Sequence, residues 1–118
     1  MYLRDCIVKK NTCVASCYYR MVVEIPEELL VSKPGQFFML KSLQDAFSLR
    51  RPISIHQVNK QDRTMEFYYE VKGRGTESLA DFQEGEKISL QGPLGHGFSV
   101  VKVFADGFLA EEKAEKET

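Results

Sequence analysis

Hydrophobic and polar residues alternate along most of the chain in short runs, a pattern typical of β-strands that bury one face. The alternation is cleanest in TMEFYYEV, residues 64–71. Its apolar positions predict a buried face made of Met65, Phe67, Tyr69 and Val71. Its other positions predict an outer face made of Glu66, Tyr68 and Glu70.

Six such runs lie between turn signals and predict six short strands, which favours an antiparallel barrel or sandwich. Pro26 ends the second run, because proline lacks the amide hydrogen that a strand ladder needs. A brief helix is predicted at TESLADF, with Thr76 as its N-cap and its end near Gly85. The runs are LRDCIVKK (3–10), YYRMVVEI (18–25), KPGQFFMLK (33–41), PISIHQV (52–58), TMEFYYEV (64–71) and EKISLQG (86–92).

Composition restricts the possible functions. The chain has 118 residues, of which 43% are hydrophobic, enough for one domain with one core. A formal net charge of -1 gives no basic excess, so nucleic-acid binding through bulk charge is not expected. No apolar run approaches the ~20 residues of a membrane span. The N-terminal MYLRDCIVKK lacks the apolar stretch of a secretory signal.

Three cysteines, Cys6, Cys13 and Cys17, are the whole thiol content of the chain. An odd count without a secretory signal fits a reducing cytoplasm, so the predicted location is cytoplasmic. Their spacing matches no common zinc or iron–sulfur pattern, and buried free thiols are the simplest interpretation.

Two segments have the chemistry of an anion site. In VKGRGTESLADF, glycines precede Thr76 at the start of the predicted helix. Free backbone amides and the helix dipole attract anions at such a position. A plain turn is the commoner explanation for this motif alone. In RRPIS, an arginine offers a planar fork of donors beside Pro52, although a surface arginine pair explains the segment equally well on its own. If Ile53 and Ile55 face the core, Ser54 and His56 face outward.

Other motifs are weaker. GPLGHGF, residues 92–98, is predicted to be a tight loop rich in glycine that another domain or a cofactor could approach. His56 and His96 fit no triad or metal motif, so no hydrolytic centre is predicted. An outward tyrosine of YYEV could stack on a flat ring.

The order of these motifs is more specific than any one of them. PGQF, RRPIS, YYEV, GRGT and GPLGHGF follow one another along residues 2–98. The chain thereby resembles the FAD-binding barrel of ferredoxin-reductase-like flavoproteins. Within that group it most resembles the electron-transfer subunits of two-subunit, NAD-dependent dihydroorotate dehydrogenases. The resemblance implies an all-β, six-stranded antiparallel Greek-key barrel with one short helix and FAD on its outer surface.

The resemblance also implies roles for residues of this sequence. Arg51 would bind the flavin phosphates, and Arg50 has no such role and is expected to be a solvated neighbour. Ser54 would hydrogen-bond near the reactive edge of the flavin ring. Pro52 and Ile53 would shape the backbone under the cofactor. The strand that lines the flavin ring and the ribityl chain would contribute Tyr68, Tyr69 and Glu70. Gly75 and Thr76 would cap the pyrophosphate.

The family's complete subunits continue into a nicotinamide-binding domain and a 2Fe–2S cysteine cluster, and their partner is an FMN-containing catalytic subunit of dihydroorotate dehydrogenase. Residues 1–100 are predicted to be the FAD-binding domain, and residues 101–118 a linker and charged tail. With no cysteine after Cys17, this chain is expected to hold no 2Fe–2S centre in the family's way. With no second domain, it is expected to lack the usual site for NAD and to complete no turnover alone. A truncated product, a split subunit and a single expressed domain all fit.

Two other functions stay open at this stage. The barrel could lack the cofactor and act as a binding or assembly module, with exposed aromatic residues as its contact surface. It could also be the FAD domain of a related NAD(P)H oxidoreductase with another partner.

Overall fold

A computed structural model describes residues 1–43 and 49–95, together with two short strands near the C-terminus. Six strands form a closed barrel: β1 (Tyr2–Ala15), β2 (Tyr18–Glu24), β3 (Phe37–Ser42), β4 (Arg51–Asn59), β5 (Thr64–Glu70) and β6 (Lys87–Leu94). A 3₁₀ helix, Glu27–Val31, lies between β2 and β3, and one α-helix, α1 (Arg74–Ala80), lies between β5 and β6. The strands β7 (Val103–Phe104) and β8 (Ala110–Glu111) pair with each other.

The barrel has Greek-key topology. Its strand order around the wall is β1-β2-β5-β4-β3-β6, and every neighbouring pair is antiparallel. Strands β3, β4 and β5 are consecutive neighbours, and β6 returns to lie beside β3, which is the arrangement that defines a Greek key. The six-stranded antiparallel Greek-key barrel expected from the resemblance is therefore confirmed.

Alternating side chains fill the barrel interior. In β5, Met65, Phe67 and Tyr69 are buried while Tyr68 is exposed, as the sequence predicts. The other inward positions are aliphatic or aromatic, and they join one continuous core cluster. A barrel of this size has an interior just wide enough for its own side chains, so ligand binding is left to the outer wall.

The two helices contribute side chains to the core. Leu29 of the 3₁₀ helix is fully buried, and so are Leu79 of α1 and Phe82 just after it. The Arg4 Nε to Glu28 Oε2 contact of 2.8 Å ties β1 to the 3₁₀ helix. Both helices are thus held by burial, because helices of five and seven residues are too short to be stable alone.

Element boundaries differ from the sequence expectations at three places. Strand β1 continues to Ala15, because residues 9–15 pair with β2 in a mostly exposed hairpin that has no alternating apolar pattern. Helix α1 runs from Arg74 to Ala80 with Gly73 as its N-cap, so the expectations that Thr76 is the N-cap and that the helix ends near Gly85 were wrong. Strand β6 continues to Leu94, so the first part of GPLGHGF is strand. Residues 96–98 of that motif lie outside the described residues.

The cysteines are free, but only one of them is buried. Cys6 is 3% exposed in the core, whereas Cys13 and Cys17 are exposed on the β1–β2 hairpin. The expectation of buried free thiols was therefore wrong for two of the three. Burial raises the pKa of the Cys6 thiol to about 12, from an ordinary value of 9.0.

Most of the predicted C-terminal tail lies outside the described residues, so the boundary between residues 100 and 101 stays a prediction. Within the described part of the chain, no helix is long and apolar enough to cross a membrane.

Gly92→Ala is expected to destabilise the fold. A Cβ at Gly92 would lie 2.8 Å from Cδ2 of the fully buried Phe38 and 3.0 Å from the Phe37 carbonyl oxygen. Overpacking of this kind costs about 1–3 kcal/mol. The measurement is the free energy of unfolding in urea. Gly73→Ser is the control, because its Cβ meets nothing within 4 Å and serine is a good N-cap. Equal stability of the two variants would contradict the packing described.

Thiol titration is expected to separate the cysteines. Because the thiolate is the reactive form, Cys13 and Cys17 should react rapidly with a disulfide reagent near pH 8, and Cys6 only after unfolding. In Cys6→Ala the slow phase should vanish while the fast phase is unchanged. Rapid reaction of all three thiols in the folded chain would contradict the burial of Cys6.

Candidate functional site

The first residue of β4 meets the first turn of α1. An ideal Cβ placed on Gly75 would lie 1.9 Å from Nε of Arg51 and 2.8 Å from its Cζ. The Arg51 side chain therefore lies directly on the glycine backbone, in space that any larger residue at position 75 would fill. The two segments singled out in the sequence as anion sites, RRPIS and GRGT, are thus in contact.

The guanidinium of Arg51 is exposed and makes no ion pair or hydrogen bond with the residues that the structure describes. Guanidinium groups carry five donors in a planar fork that matches phosphate or carboxylate oxygens. An arginine held against glycine with these donors free is suited to an anion that must also approach the backbone closely.

Thr76 shapes the helix start instead of facing a ligand with its hydroxyl. Its Oγ1 accepts hydrogen bonds from the amides of Lys72 (2.8 Å) and Gly73 (3.2 Å) and donates to the Gly73 carbonyl (3.1 Å). Any contact of Thr76 with an anion would therefore come from its backbone. The intermediate exposure of Gly75 and Thr76 keeps this turn close to solvent.

Arg50 differs from its neighbour. Its Nη2 donates to Ser89 Oγ at 2.9 Å, and Nη1 lies 3.5 Å from the Met39 carbonyl oxygen. These contacts join the entry of β4 to β3 and β6, so Arg50 is a structural residue and the expectation of a solvated neighbour was wrong. Fixing Arg50 also fixes the backbone from which Arg51 projects.

A flat aromatic surface lies further along β4, on the outer face of the barrel. Ile53 and Ile55 are buried, which places Ser54 and His56 on the outer face as predicted. The pairing of Ile55 with Phe67 brings Ser54 and Tyr68 to neighbouring outward positions. Tyr68 is 46% exposed, and its ring is stacked on His56 with centroids 4.3 Å apart. Arg51 and Ser54 are three residues apart, roughly 10 Å along a strand.

The remaining predicted residues surround this surface. Pro52 is exposed, and Glu70 lies 3.5 Å from the ammonium of Lys72 in a solvent-facing ion pair. Tyr69 points inward, where burial raises the pKa of its hydroxyl, and donates to Asn11 Oδ1 at 2.9 Å. The side chains of Ile53 and Tyr69 are both in the core. These two residues can therefore take part in an outer-wall site only through their backbone atoms.

An open cleft of about 650 Å³ lies beside the aromatic surface and is lined in part by Lys9, Lys10, Arg20 and His56. Of the residues predicted from sequence, only Tyr68 lines this cleft. The strand period indicates the outward position of His56 in β4, but its stacking on Tyr68 depends on the pairing of β4 with β5, which the sequence does not show. In residues 1–43 and 49–95 no group of three or more histidine, cysteine or carboxylate side chains could hold a metal ion.

Curated proteins with similar sequences share one name. The chain is 41% identical over 75 residues to the "Dihydroorotate dehydrogenase B (NAD(+)), electron transfer subunit" of Enterococcus faecalis, covering 64% of this chain and 28% of that protein. It is 37% identical over 101 residues to the subunit of the same name from Bacillus cereus, covering 85% and 39%. It is 35% identical over 96 residues to the subunit of the same name from Clostridium acetobutylicum, covering 81% of this chain and 37% of that protein. No family model matches the chain.

Solved structures with the same fold include ferredoxin reductases and siderophore-interacting proteins. The NADH-dependent reduced ferredoxin-NADP oxidoreductase of a flavin-based bifurcation study superposes with a TM-score of 0.72 at 21% identity, covering 84% of this chain and 35% of that one. A ferredoxin NADP+ reductase from Neisseria gonorrhoeae with bound FAD and NADP gives 0.62 at 19% identity, covering 75% and 36%. These likenesses show the fold.

The comparisons confirm the resemblance inferred from the motifs. Homologues of this chain are electron transfer subunits named for dihydroorotate dehydrogenase B, and its barrel has ferredoxin-reductase-like neighbours. The chain spans roughly a third of the length of the curated relatives it matches, from 28% to 39% in the three described above.

Gly75→Ala is expected to displace the Arg51 guanidinium without unfolding the protein. The new methyl group would occupy the position of Nε, but an exposed arginine side chain can rotate away, and alanine is the better helix former. The Arg51 Nε–Hε signal in a ¹⁵N NMR spectrum should shift while the melting temperature changes little. Gly73→Ser is the matched control and should leave that signal in place. An unmoved Arg51 signal in Gly75→Ala would contradict the contact.

Proposed function

We propose that this chain is the FAD-binding part of an electron-transfer flavoprotein of the dihydroorotate dehydrogenase partner type. The observation that carries the proposal is the contact of Arg51 with Gly75, which joins two segments of the resemblance into one anion-binding surface. The FAD bound to two structural neighbours supports this cofactor, and the names of the homologues support the electron-transfer role.

The residues present fit the two ends of FAD. Arg51, with the backbone at Gly75 and Thr76, would hold the pyrophosphate, because free guanidinium donors and a bare glycine backbone suit phosphate oxygens. Ser54 and Tyr68 would meet the flavin ring, since a hydroxyl and an exposed aromatic ring lie side by side on the outer wall. The path between the pyrophosphate and the flavin ring would be lined by Pro52, Ile53, Tyr69 and Glu70. Ile53 and Tyr69 face inward, so they would contribute backbone atoms only.

FAD, when bound, supplies the redox chemistry by accepting and donating electrons. The contribution of the chain is to bind the cofactor, orient it and adjust its electrostatics. The hydroxyl of Ser54 can donate a hydrogen bond to a polar ring edge or accept one from it. The positive charge of Arg51 neutralises part of the pyrophosphate charge. The filled core gives these groups a rigid wall, because side chains at outward strand positions cannot turn inward.

The names of the homologues support a wider role. The partner would be an FMN-containing dihydroorotate dehydrogenase catalytic subunit, with electrons passing from it to NAD in pyrimidine biosynthesis, in the cytoplasm. Residues 1–100 would form the FAD-binding domain of this system. A 2Fe–2S centre and NAD would be bound by parts of the homologues that this chain does not match. Alone, the chain would hold FAD without completing turnover.

Titration with FAD tests the proposal. The purified chain should bind FAD with a perturbed flavin absorbance band near ~450 nm, a property of the cofactor. Arg51→Ala should weaken binding about tenfold to a hundredfold, because it removes charge-assisted hydrogen bonds. Lys60→Ala is the control: it removes one exposed positive charge in the turn after β4, roughly 30 Å from Arg51 along the strand.

Three results of this titration are informative. FAD binding that is sensitive to Arg51→Ala and insensitive to Lys60→Ala supports the proposed site. Equal sensitivity to both substitutions would point to bulk charge and contradict it. No retained flavin at high FAD concentration would show that the isolated chain does not bind the cofactor, and would favour a barrel that serves as a binding or assembly module.

A further inference from the structure

A single strand residue is bonded to both the end of α1 and the barrel core. The side-chain amide of Asn11, on β1, donates to the carbonyl oxygens of Leu79 (2.9 Å), Ala80 (3.3 Å) and Phe82 (3.2 Å). Its Oδ1 accepts a hydrogen bond from the buried hydroxyl of Tyr69 at 2.9 Å. Asn11 thereby uses both ends of its amide group in one network between three elements.

These contacts add donors at the C-terminus of α1, where every helix leaves carbonyl groups without a partner inside the helix. The Leu79 carbonyl also accepts a hydrogen bond from the Phe82 amide at 3.3 Å. Leu79 and Ala80 belong to the last turn of α1, and Phe82 follows it. No basic residue lies in that last turn to bond the free carbonyls in the usual way. The donors for these carbonyl groups come instead from the side-chain amide of Asn11. This residue lies on β1, more than 65 positions earlier in the sequence.

The opposite end of the same helix carries the proposed phosphate contacts. Helix α1 has seven residues and spans roughly 10 Å at 1.5 Å per residue, so a tilt of about 10° about its C-terminus would move its N-terminus by roughly 2 Å. A displacement of that size exceeds the tolerance of a hydrogen bond. Gly75 would also lose its place under the Arg51 side chain.

We propose that Asn11 is a positioning residue for the phosphate-binding turn: by fixing the C-terminus of α1 to β1, it sets where Gly75 and Thr76 meet Arg51. The inference rests on the proposed function for the identity of the anion as the FAD pyrophosphate. It adds a residue that would touch no part of the cofactor and that the motif order did not include. Leu79 and Phe82 anchor the helix by burial, and Asn11 determines its orientation.

Two substitutions at Asn11 test the proposal. Asn11→Asp keeps an acceptor for the Tyr69 hydroxyl but places a carboxylate against the three carbonyl oxygens. Asn11→Leu removes all four hydrogen bonds while keeping the side-chain volume similar. The matched control is Asn59→Ala, because Asn59 also makes two side-chain hydrogen bonds, with Asp62 in the β4–β5 turn, but has no contact with α1.

The ligands are FAD and riboflavin, which has the ring and ribityl chain without phosphate. Both Asn11 variants should bind FAD about tenfold more weakly than the unmodified chain, with riboflavin affinity changed less than about twofold. Amide hydrogen exchange of Glu77, the one amide of residues 74–77 that is hydrogen-bonded (to the Gly73 carbonyl at 2.8 Å), should accelerate without ligand in the Asn11 variants and not in Asn59→Ala. This exchange reports on the turn even where riboflavin binds weakly.

The outcomes are distinguishable. Unchanged FAD affinity in both Asn11 variants, or an equal loss for FAD and riboflavin, would overturn the positioning role. Unchanged exchange at Glu77 would overturn it as well, whichever ligands bind. If the unmodified chain binds no FAD, the proposed function fails, and hydrogen exchange alone then decides whether Asn11 holds the turn.

Discussion

Closure of the barrel by β1 is the constraint on which the rest of the structure depends. The first half of this strand pairs with β6 and the second half with β2, and Ile7 belongs to both registers, opposite Lys87 and Glu24. Closure gives each of the six barrel strands a hydrogen-bonded neighbour on both sides and encloses one filled core. The inward or outward direction of every side chain in β4 and β5 follows from it, because a strand cannot turn over inside a closed wall.

That fixed direction is what makes the outer wall a candidate site. The wall displays Ser54 and Tyr68 because Ile53, Ile55, Phe67 and Tyr69 are held in the core. At the end where β4 begins and β5 ends, α1 fills the barrel with Leu79 and brings Gly75 under Arg51. The same burial that stabilises the fold therefore aligns an aromatic surface and a free guanidinium along one strand.

Local patterns were sufficient to predict most of the wall. The two-residue period of 64–71 predicted which side of β5 is buried, and Pro26 marked where β2 ends, because both signals act within a few residues. The hairpin extension of β1 through Ala15 could not be predicted, since its residues are exposed and its pairing with β2 has no hydrophobic period. Thr76 was expected to be the N-cap residue of α1. It is instead the third residue of the helix, and its hydroxyl accepts hydrogen bonds from the amides of Lys72 and Gly73, just before the helix.

The candidate site was predictable in its parts and not in its assembly. RRPIS and GRGT each indicated an anion, but nothing in the sequence shows that Arg51 lies on Gly75, a contact between residues 24 positions apart. The structural role of Arg50 was likewise not predictable, because its hydrogen-bond partner Ser89 lies on β6 and far away in sequence. Asn11 gave no signal at all: its partners are backbone carbonyls and a tyrosine hydroxyl brought close only by the closed barrel.

The central claim is that Arg51 and Gly75 act as one phosphate-binding unit, and a double-mutant cycle on FAD affinity tests it most directly. The cycle compares the unmodified chain, Arg51→Ala, Gly75→Ala and the double variant. Because a methyl group at position 75 would displace the guanidinium and also cover the backbone that the phosphate approaches, the double variant should lose less FAD binding free energy than the sum of the two single losses, with a coupling energy above about 0.5 kcal/mol. Additive effects, with no coupling between the two positions, would contradict the account.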